Sequence, residues 1–317
     1  MAQVAIEKPR RPAKPKRGVK GVLKEMRREW TAYLMNAPGL ILFAVFTVYA
    51  VYWSIVLSFQ DYDPLTSTGT YVGLDNYRSV VTDPDFHEAL GHTVYFTLGS
   101  VPVTMAIALG LALLLNAQIR GLGLFRTAFY LPVITPLVVA AIIWKWVYNA
   151  DYGLANYYLL QLGAINEPLL WLSDRDLAMP AVILMNIWKG VGFNMVVYLA
   201  GLQAIPQELY EAAEVDGAGR WSRFRRITFP LLIPTTFFLL IINTIGAMKA
   251  FTQIFIMTNG GPPGPGGATT TVVYKIWFEA FRNFNIGYAS AMAYVMFVLL
   301  FVVSFLQFRW YMNRVER

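Results

Sequence analysis

Cysteine is absent from the 317 residues of this chain. Its absence excludes a disulfide framework, a thiol nucleophile and any cysteine-ligated metal. Charge is scarce as well: 14% of residues are Asp, Glu, Lys or Arg, against about a quarter in a soluble globular domain. Histidine is limited to His87 and His92, too few ligands to hold a metal alone. No G-x-x-x-x-G-K-S/T phosphate loop occurs, so ATP is not expected to bind this chain by that route. Neither a G-x-S-x-G elbow nor an H-E-x-x-H pair is found. There is no visible internal repeat. The N-terminus reads as uncleaved, because its charged residues lead into an apolar run too long for a signal h-region.

What is present is apolar surface. The composition is 56% hydrophobic and 15% aromatic, with a mean hydropathy of +0.47, which fits a membrane protein with interfacial aromatic belts. A helix needs about 20 apolar residues to cross the hydrocarbon core. Six segments qualify, at 37–59, 91–116, 127–149, 177–203, 230–257 and 287–310. The expected fold is therefore all-α and polytopic. The expected organisation is a basic N-terminal tail over 1–36, a transmembrane domain over 37–310 and a short tail over 311–317. Within the first tail, 21–36 carries Lys24, Arg27, Arg28 and Trp30, the pattern of a short interfacial helix.

Orientation follows from the basic residues. Nineteen of the 26 Lys and Arg lie in 1–36, 117–126, 204–229 and the chain end from Arg309; four lie in the opposite loops and three within spans. This bias places both termini in the cytoplasm. It also accounts for the pI of 9.5 without nucleic acid as a partner.

Between the fourth and fifth spans lies a polar segment on the charged side, where a lipid-embedded protein can touch something soluble. Pro206 suits a helix start, Glu208 favours the positive end of the dipole, and Gly217 suits a left-handed C-terminal cap. The spacing predicts a helix over about 206–216, with Ala212 and Ala213 giving a face open to close approach. A second helical stretch with Arg220, Arg223, Arg225 and Arg226 leads to Pro230.

Polar groups at membrane depth are costly and default to functional candidates. Lys189 falls near the middle of the fourth span, Lys249 near the middle of the fifth, and Asn186 and Asn243 are also at depth. Asn186, Lys189, Gly190 and Phe193 share one helical face. Amide and ammonium can bond hydroxyls, glycine leaves room, and an aromatic ring can stack on a sugar. Helix–helix packing or an interhelical hydrogen bond is the alternative role for each. Lys145, near a span end, is expected to snorkel.

Glu211-Ala212-Ala213-Glu214-Val215-Asp216-Gly217, followed by Ile227-Thr228-Phe229-Pro230, resembles the EAA loop of permease subunits of binding-protein-dependent ABC importers; the family usually has Leu where Phe229 stands. Asn186 to Met195, Thr258 to Pro262, Glu279-Ala280-Phe281 and Gly287 to Ala291 resemble the carbohydrate-uptake group, of the maltose and glycerol-phosphate kind, and within it the first permease of a heterodimeric pair. The resemblance implies that Glu211, Ala212, Ala213, Asp216, Gly217 and Arg220 couple to the ATPase. It implies a second homologous permease, two ATPase subunits docking on the 206–217 helix and carrying the ATP and magnesium, and an extracytoplasmic solute-binding protein. It also implies a sugar substrate: an oligosaccharide, a glycerol phosphate or a sugar acid. No cofactor is expected in the chain itself. Positions matching Asn186, Gly190, Phe193 and Asn243 line the sugar site of the maltose-type relative. Those matching Ala247 and Ala250 are polar there, so the site is altered here. Lys249 is left with two possible partners, the substrate or a carboxylate of the second permease. A gradient-driven carrier and a membrane enzyme are the competing classes. The carrier would need intramembrane carboxylates and the enzyme a nucleophile, metal set or carboxylate pair at depth, and the spans offer none of these.

Overall fold

A computed structural model describes residues 30–116, 121–258 and 267–315. Most of the basic tail and the Asn259–Gly266 stretch of the glycine- and proline-rich turn lie outside these residues. The chain divides into two compact units, one ending at Ser54 and one beginning at Ile55.

The first unit contains α1 (Trp30–Phe43), a π-helical turn (Ala44–Tyr49) and the start of α2 (Ala50–Ser58). Of the interfacial helix expected over 21–36, residues 21–29 lie outside the described residues. From Trp30 the backbone is already helical and continues through Pro38 and Gly39 into the first span. Tyr33–Ser58 is long and apolar enough to cross a membrane.

The second unit continues with a hairpin of β1 (Gln60–Asp63) and β2 (Thr68–Tyr71), then α3 (Asp75–Thr82) and the long α4 (Pro84–Leu115). Next come α5 (Leu122–Ile134), α6 (Leu137–Val147), α7 (Leu154–Gln161) and α8 (Arg175–Gln203). The loop helix α9 (Gln207–Val215) precedes α10 (Arg220–Arg223), a π turn (Phe224–Thr228) and α11 (Phe229–Leu231). Finally α12 (Ile233–Met248), α13 (Thr252–Met257), α14 (Val272–Phe281) and α15 (Ile286–Val315) complete the fold.

The all-α reading overlooked the hairpin. It pairs Gln60 with Tyr71 and Asp63 with Thr68, and the Asp63 side chain closes its turn onto Leu65 and Thr66. The loop over 150–176 is also built rather than loose. Buried Asn156 donates to the carbonyls of Ala150 and Leu169 and accepts from the Leu169 amide and the Trp171 indole.

Among the described residues four helices are long and apolar enough to cross a membrane, and two bent pairs bring the number to six. The third and fifth spans are therefore not the continuous helices expected at 127–149 and 230–257. α5 and α6 meet at 99° across Thr135 and Pro136. Pro136 has no N–H to continue the ladder and forces the preceding residue out of the helical region, and Thr135 is extended accordingly. The fifth span bends by 61° at Leu232 and stops at Met248. It resumes at Thr252 after a break at Lys249, Ala250 and Phe251. No proline or glycine lies in that break. Instead the freed Ala250 carbonyl accepts the Thr271 hydroxyl at 2.7 Å.

The core lies where α4 packs along α8, with α12 against both. Polar residues on the buried side of α4 are satisfied locally: Thr93, Thr97 and Ser100 each donate to the carbonyl four residues back. α5 approaches α8 closely at Gly192, where any Cβ would collide with the Phe129 carbonyl.

Candidate functional site

The break at Lys249 to Phe251 opens onto a cavity of about 360 Å³, which Leu137, the first residue of α6 after the bend in the third span, also lines. Its volume is at the lower end of the range for small-molecule sites. Val101 and Thr104 of α4, Leu137 at the start of α6, and Asn186, Lys189 and Gly190 of α8 line it. Ile242, Asn243, Gly246 and Ala247 of α12, the broken Lys249-Ala250-Phe251 segment, and Thr252 and Gln253 of α13 complete the lining. Lys189 is the central residue of α8, so the cavity sits midway along that span helix.

Five of the six residues expected on a substrate path meet here: Asn186, Lys189, Gly190, Asn243 and Lys249. Phe193 is not among them. One turn past Gly190, Asn194 and Asn243 form a reciprocal amide pair that bridges α8 and α12, at 2.6 Å and 3.3 Å. Phe193 stays outside the lining and 37% exposed.

The lysines differ sharply. The Lys189 ammonium donates to the carbonyls of Pro132, Val133 and Thr135, at 2.9, 3.2 and 2.8 Å. These are carbonyls that the break before α6 leaves without helical partners. Lys189 is thus a pin across the broken third span. Lys249 ends α12, is exposed, and has no side-chain hydrogen bond or ion pair among the described residues.

Sequence reasoning missed Asn194, Thr104 and Gln253. Asn194 is 1% exposed and tied to Asn243 and to the Gly190 carbonyl. Thr104 is 2% exposed and continues the row of Thr93, Thr97 and Ser100, yet its hydroxyl has no partner. A polar row along α4 was visible in the sequence; which member would lack its backbone bond was not.

The second candidate region is α9. Asp216 caps it, and Gly217 has φ of +74°, a left-handed conformation costly for other residues. The Ala218 amide donates to the Ala213 carbonyl at 2.8 Å and the Gly217 amide to Glu214 at 3.0 Å, a Schellman closure. Two contacts tie α9 to the entry of the next span. Tyr210 bonds the Thr228 hydroxyl at 2.9 Å, and Arg223 pairs with Glu214 at 3.1 Å. α9 buries no residue. Glu211, Ala212, Asp216, Gly217 and Arg220 are exposed and Ala213 half-buried. Val215 is 88% and Trp221 71% exposed, so the loop presents apolar surface beside its charges.

At the other ends of the spans, Lys275 on α14 pairs with Asp83 at 3.0 Å and Asp85 at 3.4 Å, and Tyr288 donates to Asp83 at 2.6 Å. Burial opposes ionisation of Asp83, but the bonds from Tyr288 and Lys275 outweigh it and hold the carboxyl below the usual range. Lys145 lines a separate cavity of about 310 Å³ with Asp151 and Trp171.

Comparison with known proteins gives this geometry a family. The sequence pattern of the binding-protein-dependent transport system inner membrane component matches residues 103–317. The chain is 36% identical to the sn-glycerol-3-phosphate transport system permease protein UgpA of Agrobacterium fabrum, over 90% of this chain and 95% of that one. It is 37% identical to the lactose transport system permease protein LacF of Rhizobium radiobacter, over 87% and 92%. A crystal structure of a bacterial alginate ABC transporter, in complex with an alginate pentasaccharide-bound periplasmic protein, contains a chain that superposes with a TM-score of 0.78 at 25% identity. That match covers 90% of this chain and 95% of that one. The chain belongs to the family of inner membrane components of binding-protein-dependent transport systems, and it is a permease subunit of an ABC importer.

Proposed function

We propose that this permease carries a carbohydrate-type substrate, an oligosaccharide, glycerol phosphate or sugar acid, through the cavity between α4, α8 and α12. The observation that carries the reading is a polar cavity at mid-span, walled by two broken helices, whose lining holds no carboxylate. Irregular backbone at membrane depth is tolerated where it lines a cavity, and transporters bind substrate at such breaks. The names of the relatives support a carbohydrate-type substrate.

Coupling runs through α9. Two separate ATPase subunits, which hold the ATP and magnesium, dock on its exposed surface around Glu211, Ala212, Ala213, Asp216, Gly217 and Arg220. Their ATP-driven approach is passed to α12 through the Tyr210–Thr228 and Glu214–Arg223 contacts. A second homologous permease forms the other wall of the path, and an extracytoplasmic solute-binding protein delivers the substrate. The rocking of the spans is a two-state equilibrium biased by ATP and by the loaded binding protein. In this orientation α9 and both termini face the cytoplasm, with 1–36 and 311–317 as tails of the 37–310 transmembrane domain.

The test is ATPase activity of the reconstituted complex of two permeases, ATPase and binding protein. Activity should rise when the binding protein is loaded with one ligand class among neutral oligosaccharides, glycerol phosphates and uronates. A well-assembled complex whose ATPase ignores every loaded binding protein would return weight to a gradient-driven carrier.

A further inference from the structure

Five polar side chains line the cavity with no side-chain partner among the described residues: Thr104, Asn186, Lys249, Thr252 and Gln253. Two of them are deeply buried, Thr104 at 2% and Gln253 at 5% exposure. Their helical neighbours show what satisfaction looks like here. Thr93, Thr97 and Ser100 bond their own helix, Asn194 bonds Asn243, and Lys189 bonds three carbonyls. Buried side-chain atoms without a partner also occur singly elsewhere, at Arg126, Thr269, Ser304 and Gln307, but on the cavity wall the unpartnered groups share one space, and a buried polar group without a partner costs free energy. The pattern is that of a site whose remaining partner is the ligand.

The charge of the wall narrows that ligand. Its lining holds two lysines and neither Asp nor Glu. Lys189 is spent on the helix break, which leaves the Lys249 ammonium uncompensated. α6, of 11 residues, begins at the wall with Leu137, and its N-terminus has no side-chain cap. A helix start carries positive potential and free N–H groups. A charged group at membrane depth is expensive unless it meets an opposite charge.

We infer that the cavity accepts its substrate through an anionic group, a carboxylate or a phosphate, with Lys249 as the counter-charge and Thr104, Asn186 and Gln253 holding the hydroxyls. Ammonium and carboxylate or phosphate form charge-assisted hydrogen bonds about twice as strong as neutral ones. A neutral sugar would leave the ammonium without a counter-charge. This inference rests on the cavity being the permease's substrate path.

The absence of cysteine makes a direct test available, because Gly246→Cys introduces the chain's single thiol into the lining, where nothing lies within 4 Å of a new Cβ. In the full complex, that thiol should react faster with an anionic methanethiosulfonate than with a cationic one, by about tenfold, as expected for one nearby uncompensated charge. Adding Lys249→Gln should bring the two rates towards parity, while Lys249→Arg keeps them apart. A ratio unchanged by Lys249→Gln means that a carboxylate of the partner permease already neutralises the lysine, and overturns the proposal. Uptake then separates the anions, with glucuronate oligomers, sn-glycerol 3-phosphate and maltotriose as probes. Lys249→Gln should cut uptake of whichever anionic probe is carried by tenfold or more, with Lys249→Arg largely retained. Transport of maltotriose alone, undiminished by Lys249→Gln, would also overturn it. A shifted thiol ratio in a complex whose ATPase ignores every loaded binding protein would leave the anionic site standing and remove the importer reading instead.

Discussion

Lys189 shows how a single side chain can replace a stretch of backbone hydrogen bonding. Its ammonium gathers the carbonyls of Pro132, Val133 and Thr135, which the break in the third span leaves without helical donors. Lys189→Met keeps the aliphatic stem and removes the donor. A hydrogen bond to a charged group contributes about 1.5–3 kcal/mol, so the variant should lose about 3 kcal/mol, read as a lowered melting midpoint of the detergent-solubilised complex. An unchanged midpoint would show that the break stands without its pin. Asp83 allows a prediction in pH. Its folded-state pKa lies below the unfolded value, so its contribution is complete above about 3.9, the ordinary Asp value, and is lost as pH falls through the lower folded value. The stability gap between the parent and Asp83→Asn should be constant from pH 7 to 5 and close in stronger acid. A gap that closed near neutrality would assign the effect to another group.

At the scale of elements, α9 and the α5–α8 crossing depend on glycine for opposite reasons. Gly217 is needed for its backbone. Its positive φ ends α9 and lets the Ala218 amide turn back to Ala213. A β-branched residue there is strained, and Gly217→Val should abolish substrate-stimulated ATPase activity while the protein still reaches the membrane. Survival of coupled activity would remove α9 from the coupling path. Gly192 is needed for its missing side chain, because the Phe129 carbonyl occupies the space of a Cβ. Gly192→Val should push α5 off α8 and carry the Lys189 pin with it, giving poor assembly by size-exclusion chromatography. Wild-type assembly would mean that the crossing relaxes freely. The helix ends of α9 were legible beforehand from Pro206, Glu208 and Gly217. The hairpin was not, since four-residue strands in a short loop have too little periodicity to register.

For the whole molecule, the arrangement ties an exposed loop to the mid-span cavity through a single helix. α12 carries Asn243, Gly246 and Ala247 into the lining, and the segment leading into it is bonded to α9. A displacement of α9 therefore has a short covalent and hydrogen-bonded route to the cavity wall. If that route is used, Tyr210→Phe should lower transport per ATP hydrolysed several-fold while leaving ATPase docking intact, measured as the ratio of uptake to phosphate release in proteoliposomes. An unaltered ratio would place the coupling on other contacts.

The sequence by itself determined the membrane class, the apolar spans, the loop helix with its glycine cap, and the family. Each of these rests on local chemistry: apolar length, caps, or a run of consecutive residues. It also brought Asn186, Lys189, Gly190 and Asn243 forward as candidates, because a polar residue is conspicuous in an apolar helix. The roles within that set were decided by tertiary structure alone. The 99° angle at Pro136 is held by a lysine 53 residues away in the chain. The break at Lys249 to Phe251 has no breaker residue and is held by Thr271. Whether Lys189 or Lys249 was the uncompensated charge depended on which carbonyls came within 3 Å of an ammonium. That is a property of packing between spans, and no local pattern encodes it.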